Sequence, residues 1–236
     1  MDEIMDIRKF NEKYAKFFVE RFVYGTVEVE KPESKKEKER LLRNTLEAFK
    51  YLQSKPEDEH LNIGDIRFVG DKVNEGEEVP QNFRRIDVDP GDKAGFIPSE
   101  PEHIINDLNQ LLAQYYYMWE GIDPFLKEAM FHIAYMRIHP FEDGNKRSAK
   151  LITTTNLLKQ NIPPVIITKA DIDEYYRFIN TQDYMGFAEF LRQRSNIENL
   201  TMVGFYKATE NIPILEDIDN KTLQQEVDIA NAKSIK

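Results

Sequence analysis

A chain of 236 residues that is 41% hydrophobic and 11% aromatic can bury a real core, as one domain with appendages. Its formal charge of -10 excludes the basic surface that non-specific nucleic-acid binding or docking on an anionic membrane needs. With no cysteine it has neither disulfides nor thiolate zinc sites, and no apolar run approaches the roughly 20 residues of a spanning helix. The acidic start, Met1-Asp2-Glu3-Ile4, lacks a signal-peptide core, so a cytoplasmic protein is expected.

Residues 5–23 place Ile7, Phe10, Tyr14, Phe17, Phe18 and Phe22 at helical spacing, an aromatic stripe suited to core packing. The pattern breaks around Tyr24-Gly25. Thr26-Val27-Glu28-Val29-Glu30-Lys31-Pro32 then alternates like a short strand or an irregular turn. Ser34-Lys35-Lys36-Glu37 is a capping box that opens a helix to about Leu52, and the alternating charges from Lys35 to Arg40 form its solvated face. A polar linker from Ser54 to His60 leads to a short helix near 63–74. Residues 75–101 are loop-rich. Within them Arg84 to Val88, the turn Asp89-Pro90-Gly91-Asp92 and Ala94 to Pro98 predict a small β-hairpin flap.

Helical spacing resumes at Pro101 with Ile104, Leu108, Leu111, Leu112 and Tyr115. From about Pro124 the chain is apolar nearly all round (Phe125, Leu126, Ala129, Met130, Ile133, Ala134, Met136), which predicts a buried central helix delivering His139. Ser148 to Gln160 continues as helix until Asn161-Ile162-Pro163-Pro164. A second capping box, Thr168-Lys169-Ala170-Asp171, opens a helix through Tyr175, Tyr176 and Ile179. A further helix spans about Tyr184 to Arg194, and a terminal one is expected near 221–232. The sum is an all-α bundle with one hairpin: N-terminal helices over 1–60, a core over 61–195 and a C-terminal extension over 196–236.

Between the central helix and the next lies His139-Pro140-Phe141-Glu142-Asp143-Gly144-Asn145-Lys146-Arg147. His139 suits a general base, because imidazole titrates near neutral pH. Asp143 suits Mg²⁺, which takes one or two carboxylates plus phosphate oxygens. Gly144 lets backbone approach a phosphate, and Asn145, Lys146 and Arg147 add donors and positive charge at a helix N-terminus. A base, a metal carboxylate and a phosphate cradle together imply transfer of part of a nucleotide. His60, His103 and His132 have no second ligand at metal spacing and read as ordinary. Trp119 and Tyr115-Tyr116-Tyr117 read as packing.

This string resembles the signature of the Fic family (Fic/Doc proteins), His-Pro-Phe-x-Asp/Glu-Gly-Asn-Gly/Lys-Arg, at every position. Phe83-Arg84 through Val88, Gly91 and Phe96-Ile97-Pro98 resemble the family's flap. The likeness extends over about residues 10–195. It implies a Fic-fold bundle that moves AMP from ATP to a hydroxyl of a target protein with release of pyrophosphate. In that scheme His139 deprotonates the hydroxyl and Asp143 holds Mg²⁺. Gly144, Asn145 and Lys146 line the anion nest, and Arg147 grips the terminal phosphates. Lys150, Tyr175 and Tyr176 contribute to the nucleotide site. A flap displaying Arg85, Ile86, Val88, Gly91, Phe96 and Ile97 docks the target as an added strand. The target is another protein or, by auto-modification, the chain itself, and a homodimer is left open.

Two departures bear on the group transferred. Lys146 replaces a glycine common in AMP-transferring members, and Lys150 stands where many carry a second arginine. Gly-Asn-Lys-Arg is closer to the kinase-like Doc branch, whereas Pro140 favours AMP transfer. AMP transfer leads, ahead of Doc-like phosphate transfer, removal of AMP, or a non-catalytic nucleotide-binding module. Thr26 and Glu30 resemble the family's N-terminal inhibitory motif, which implies that Glu30 blocks the site by pairing with Arg147. The motif breaks at Lys31-Pro32, and Thr222 and Glu226 in the tail share its spacing.

Overall fold

The computed structural model describes residues 12–56 and 58–210 and contains eight α-helices, with no strand among those residues. In chain order they are α1 (Glu12–Glu28), α2 (Lys35–Ser54), α3 (Ile63–Val73), α4 (Ile104–Ala113), α5 (Pro124–Ile138), α6 (Asn145–Lys159), α7 (Ile172–Thr181) and α8 (Tyr184–Glu210). The tail with Thr222, Glu226 and the helix expected near 221–232 lies outside the described residues, as does the start of the first predicted helix. No helix among the described residues is long and apolar enough to cross a membrane.

The central helix forms where its sequence predicts. The Asp123 side chain caps α5 by accepting from the Leu126 N–H at 3.1 Å, and Pro124 occupies the first turn, where its missing N–H costs nothing. Apolar nearly all round, α5 packs against α4, α6, α7 and α8 at once. Its buried polar groups are satisfied inside the core. Glu128 accepts from the Tyr115 hydroxyl and from the Asn156 amide at 3.1 Å. His132 bonds Thr153 Oγ1 at 2.9 Å and the Tyr175 hydroxyl at 2.8 Å, so it is the core histidine its lack of a second ligand implied. On the other side of α6, helices α1, α2 and α3 complete the bundle.

Three expectations are corrected. The first helix does not break at Tyr24-Gly25; α1 runs to Glu28 and carries Thr26 buried within it. Burial of Phe18, Phe22, Val23 and Val27 outweighs the roughly 1 kcal/mol cost of a mid-helix glycine, and Gly25 sits so close to Ile166 that a Cβ would lie 3.3 Å from its Cγ2. A turn follows at Val29 and Glu30, and the chain turns away at Lys31, where φ is 54°. The hairpin flap is absent too, and residues 81–100 form an irregular loop. Side chains take the backbone groups that a ladder would have paired: Asp89 accepts from the Gly91 N–H (2.8 Å), while Asn180 accepts from the Gly95 N–H (2.7 Å) and donates to the Lys93 carbonyl (2.9 Å). Finally, the helix starting at Tyr184 runs past Arg194 to Glu210, since Glu198 is buried against α1 between Arg21 and Tyr14.

Candidate active site

His139 follows the last turn of α5 in the left-handed conformation (φ 52°), its N–H donating to the Tyr135 carbonyl at 3.0 Å. The residue is 7% exposed, with Nδ1 3.3 Å from the Met136 carbonyl. A carbonyl only accepts, so Nδ1 carries the hydrogen and the neutral ring keeps its lone pair on Nε2. Burial pushes the imidazole pKa down to about 4 against the pull of the Met136 carbonyl, and the ring is unprotonated at neutral pH. That is the state a general base requires.

The turn that follows is braced by side chains. Asn145 Oδ1 accepts from the Phe141 N–H at 3.0 Å, and its amide donates back to the Phe141 carbonyl at 2.8 Å. Phe141 is buried in a slot that only glycine permits, since a Cβ on Gly70 would lie 2.0 Å from Phe141 Cζ. Gly144 begins α6 at φ 79°, where a Cβ would also strike Asn74 Oδ1 at 2.6 Å. No side chain caps α6, so its N-terminal dipole is left for an anion. Asp143 is half exposed at this mouth. Burial opposes its ionisation, but the Arg147 guanidinium at 2.8 Å and the Gly144 N–H at 2.6 Å outweigh burial and hold the carboxyl below its ordinary value. No three acids or histidines cluster for a metal among the described residues, so a cation here would rest on Asp143 and phosphate oxygens. That donor set suits Mg²⁺.

The two cations of the motif and Lys150, one turn further along α6, have different surroundings. Lys146 keeps 25% of its side chain exposed and meets Glu30 Oε2 at 3.1 Å. Arg147 is 1% exposed and spent on its own chain: NH1 donates to the Val73 carbonyl (2.7 Å) and Glu77 (3.1 Å), NH2 to Asn74 Oδ1 (3.2 Å) and Asp143 (2.8 Å). The expected Glu30–Arg147 pair is therefore not formed. Val73, Asn74 and Glu77, at and after the end of α3, surround Arg147 together with Asp143, and Glu30 stands over Lys146 instead. Lys150 is buried, donates to the Ile167 carbonyl at 3.2 Å, and has its pKa pushed down to about 8 by desolvation. Of the two aromatics assigned to the nucleotide, Tyr175 is fully buried with its hydroxyl on His132, a packing position. Tyr176, 7% exposed, lies near enough to Lys146 to affect its charge.

The loop assigned to target docking lies beside His139. Phe96 is buried with its ring centroid 6.3 Å from that of His139, and Ile86 and Ile97 are 57% and 92% exposed. Arg85 and Gly91 are also exposed, and Val88 is half-buried. Gly70, Asn74, Glu77 and the role of Arg84 escaped the sequence reading. Their partners in the motif lie some 50 to 75 residues away, and no local spacing encodes such contacts.

Comparison with known proteins agrees with this arrangement. Residues 57–157 match the family model for the Fic/DOC family. The chain is 28% identical over 188 residues to the protein adenylyltransferase fic-1 of Caenorhabditis elegans, covering 76% of this chain and 35% of that protein. It is 30% identical over 137 residues to the protein adenylyltransferase Fic of Drosophila grimshawi, covering 56% and 27%. The chain thus spans about a third of the length of the curated relatives it matches. A Fic-domain-containing signaling protein from Bacteroides thetaiotaomicron superposes with a TM-score of 0.71 at 16% identity, over 88% of this chain and 95% of that one, a likeness of fold. Residues 57–157 thus carry the segment that matches the Fic/DOC family, and the fold and the motif assembled between α5 and α6 are similar to those of that family.

Proposed function

We propose that this protein transfers AMP from ATP to a hydroxyl of a protein target, under restraint by its own Glu30. The observation that carries the reading is the neutral His139, its lone pair on Nε2, standing before the uncapped start of α6. In this scheme Nε2 takes the proton of the target hydroxyl, the hydroxyl oxygen bonds to the α-phosphorus, and pyrophosphate leaves. The α6 N-terminus and Lys146 receive the phosphates. Asp143 would hold Mg²⁺, whose chemistry is to neutralise phosphate charge. The names of the curated relatives, protein adenylyltransferases, support the same reaction.

Glu30 supports restraint by its position: its carboxylate neutralises the exposed cation of the nest, and Oε1 is buried with no partner among the described residues. One observation favours a second reading, transfer of the terminal phosphate. The cation open at the nest is Lys146, the feature shared with the Doc branch, while Arg147 is buried.

Intact-mass spectrometry of a Glu30→Gly variant incubated with Mg²⁺ and ATP separates the readings. A gain of AMP supports the proposal and a gain of phosphate supports the second reading. Bound nucleotide with no gain overturns both in favour of a binding module, and loss of AMP from a pre-modified protein points to removal. A gain that survives His139→Ala overturns the assigned base.

A further inference from the structure

Arg84 is 2% exposed, and no carboxylate lies among its hydrogen-bond partners. Its guanidinium instead binds carbonyls from three stretches of chain. Nε donates to the His139 carbonyl at 2.7 Å, and NH2 reaches the Ile138 carbonyl at 3.4 Å and the Ser99 carbonyl. NH1 donates to the Ile86 carbonyl at 2.8 Å, and the Arg84 N–H donates to the Pro140 carbonyl at 2.9 Å. Ile86 and Ser99 bracket the loop that displays Ile97, while Ile138 to Pro140 is the backbone of the reacting histidine. Ser99 adds its own link, its N–H donating to the Arg137 carbonyl at 3.3 Å.

The left-handed backbone at His139 is uncommon for a residue with a Cβ and persists where its surroundings hold it. The peptide on either side of His139 is held from both directions, the N–H by Tyr135 and the carbonyl by Arg84. Only a planar fork with five donors spans these acceptors; an ammonium of three donors on a flexible stem cannot.

We infer that Arg84 is a positioning residue of the reaction: it ties the target-docking loop to the backbone of His139 and so sets where Nε2 stands. The inference rests on the reading of His139 as the base. A segment seated against Ile86 and Ile97 would press on the guanidinium that fixes the imidazole, so docking and base geometry are linked through one side chain. Nucleotide binding is outside this link, because the nest is built on α6, which Arg84 does not contact through any of these bonds.

The test uses the full chain in a Glu30→Gly background, with self-modification as the reaction. Arg84→Lys keeps the charge and loses the fork; Arg84→Gln loses both. At saturating ATP the rate is expected to fall at least tenfold in each, with KM for ATP within twofold of the parent. An unchanged KM also certifies that the variant is folded. If Arg84→Gln does not fold, Arg84→Lys alone decides. The ring signals of His139 in isotope-labelled protein should shift in both variants with no ATP present. Ring signals that stay in place overturn the inference whether or not the parent transfers AMP, as does a rate that falls only in step with ATP affinity. A parent that transfers nothing overturns the functional reading and leaves the ring signals to decide on Arg84.

Discussion

Glu30 Oε2 lies 3.1 Å from Lys146 Nζ, so a carboxylate two residues beyond the first helix neutralises the cation at the start of α6. Both side chains are less than a third exposed, and the pair is screened less than a surface ion pair would be. Neutralising Glu30 removes a built-in competitor for phosphate. Glu30→Gln should bind ATP several-fold more tightly than the parent, on the order of 1 kcal/mol for a partly buried pair, by calorimetry without any protein target. Equal affinity in the two proteins would leave Glu30 without a restraining role.

The acid limb of the transfer rate should fall near pH 4 and not near 6.5. His139 has a folded pKa of about 4, below its ordinary value, so the base form is already full at pH 5.5 and is lost only as pH falls through about 4. His139→Ala should lower the rate by about a hundred- to ten-thousand-fold at every pH in that range. A wild-type limb centred at 6.5 would show that another group titrates in the rate, or that the ring is solvated during turnover.

Gly70→Ala should lower both the denaturation midpoint and the transfer rate, although Gly70 lies on α3, outside the motif. The added Cβ would lie 2.0 Å from Phe141 Cζ, and either the ring or α3 must move. Overpacking of this kind typically costs 1–3 kcal/mol, readable in urea denaturation. Retained stability with retained activity would mean the slot is looser than its geometry implies.

Glu128→Gln should alter how stability depends on pH. Burial raises the Glu128 pKa to about 8, against the Tyr115 and Asn156 hydrogen bonds. A carboxyl with a raised folded pKa contributes stability that is fully present below about 4.5 and lost as pH rises towards 8. The neutral amide has no such loss. The thermal midpoint of the variant, relative to the parent, should therefore climb between pH 4.5 and 8. A flat difference would mean that Glu128 titrates at its ordinary pKa.

What could be read in advance was local. The all-round apolarity of α5 and the run from His139 to Arg147 lie within consecutive residues, and helical period and residue chemistry sufficed for both. The first helix was cut short because a glycine and an alternating stretch suggested its end, whereas contact with Ile166 and burial of Val27 decided it. Alternation over Arg84 to Val88 predicts a hairpin, but alternation marks a strand only when a partner strand is present. Here Arg84, Asp89 and Asn180 supply the partners instead. The resemblance assigns Arg147 to phosphate, and its neighbours Val73, Asn74 and Glu77 come from the last residue of α3 and the segment after it, whose place beside α6 only the fold reveals.

If Glu30 restrains the site as proposed, Glu198 bears on how that restraint is released. Its carboxylate is buried and shared by Arg21, at 2.8 and 2.9 Å, and by the Tyr14 hydroxyl at 2.7 Å, both on α1. Lifting α1 as a body would strand that carboxylate in apolar surroundings, at a cost of several kcal/mol. A movement confined to Val29 to Pro32, near the left-handed Lys31, would displace Glu30 and leave the helix seated, at the cost of exposing the buried Val29. Loops rearrange in nanoseconds to microseconds, well ahead of most enzymatic turnover. Glu30 would then behave as a fast tethered competitor, present at an effective concentration that ATP must exceed, and basal activity would follow the ATP level smoothly without a slow activation step.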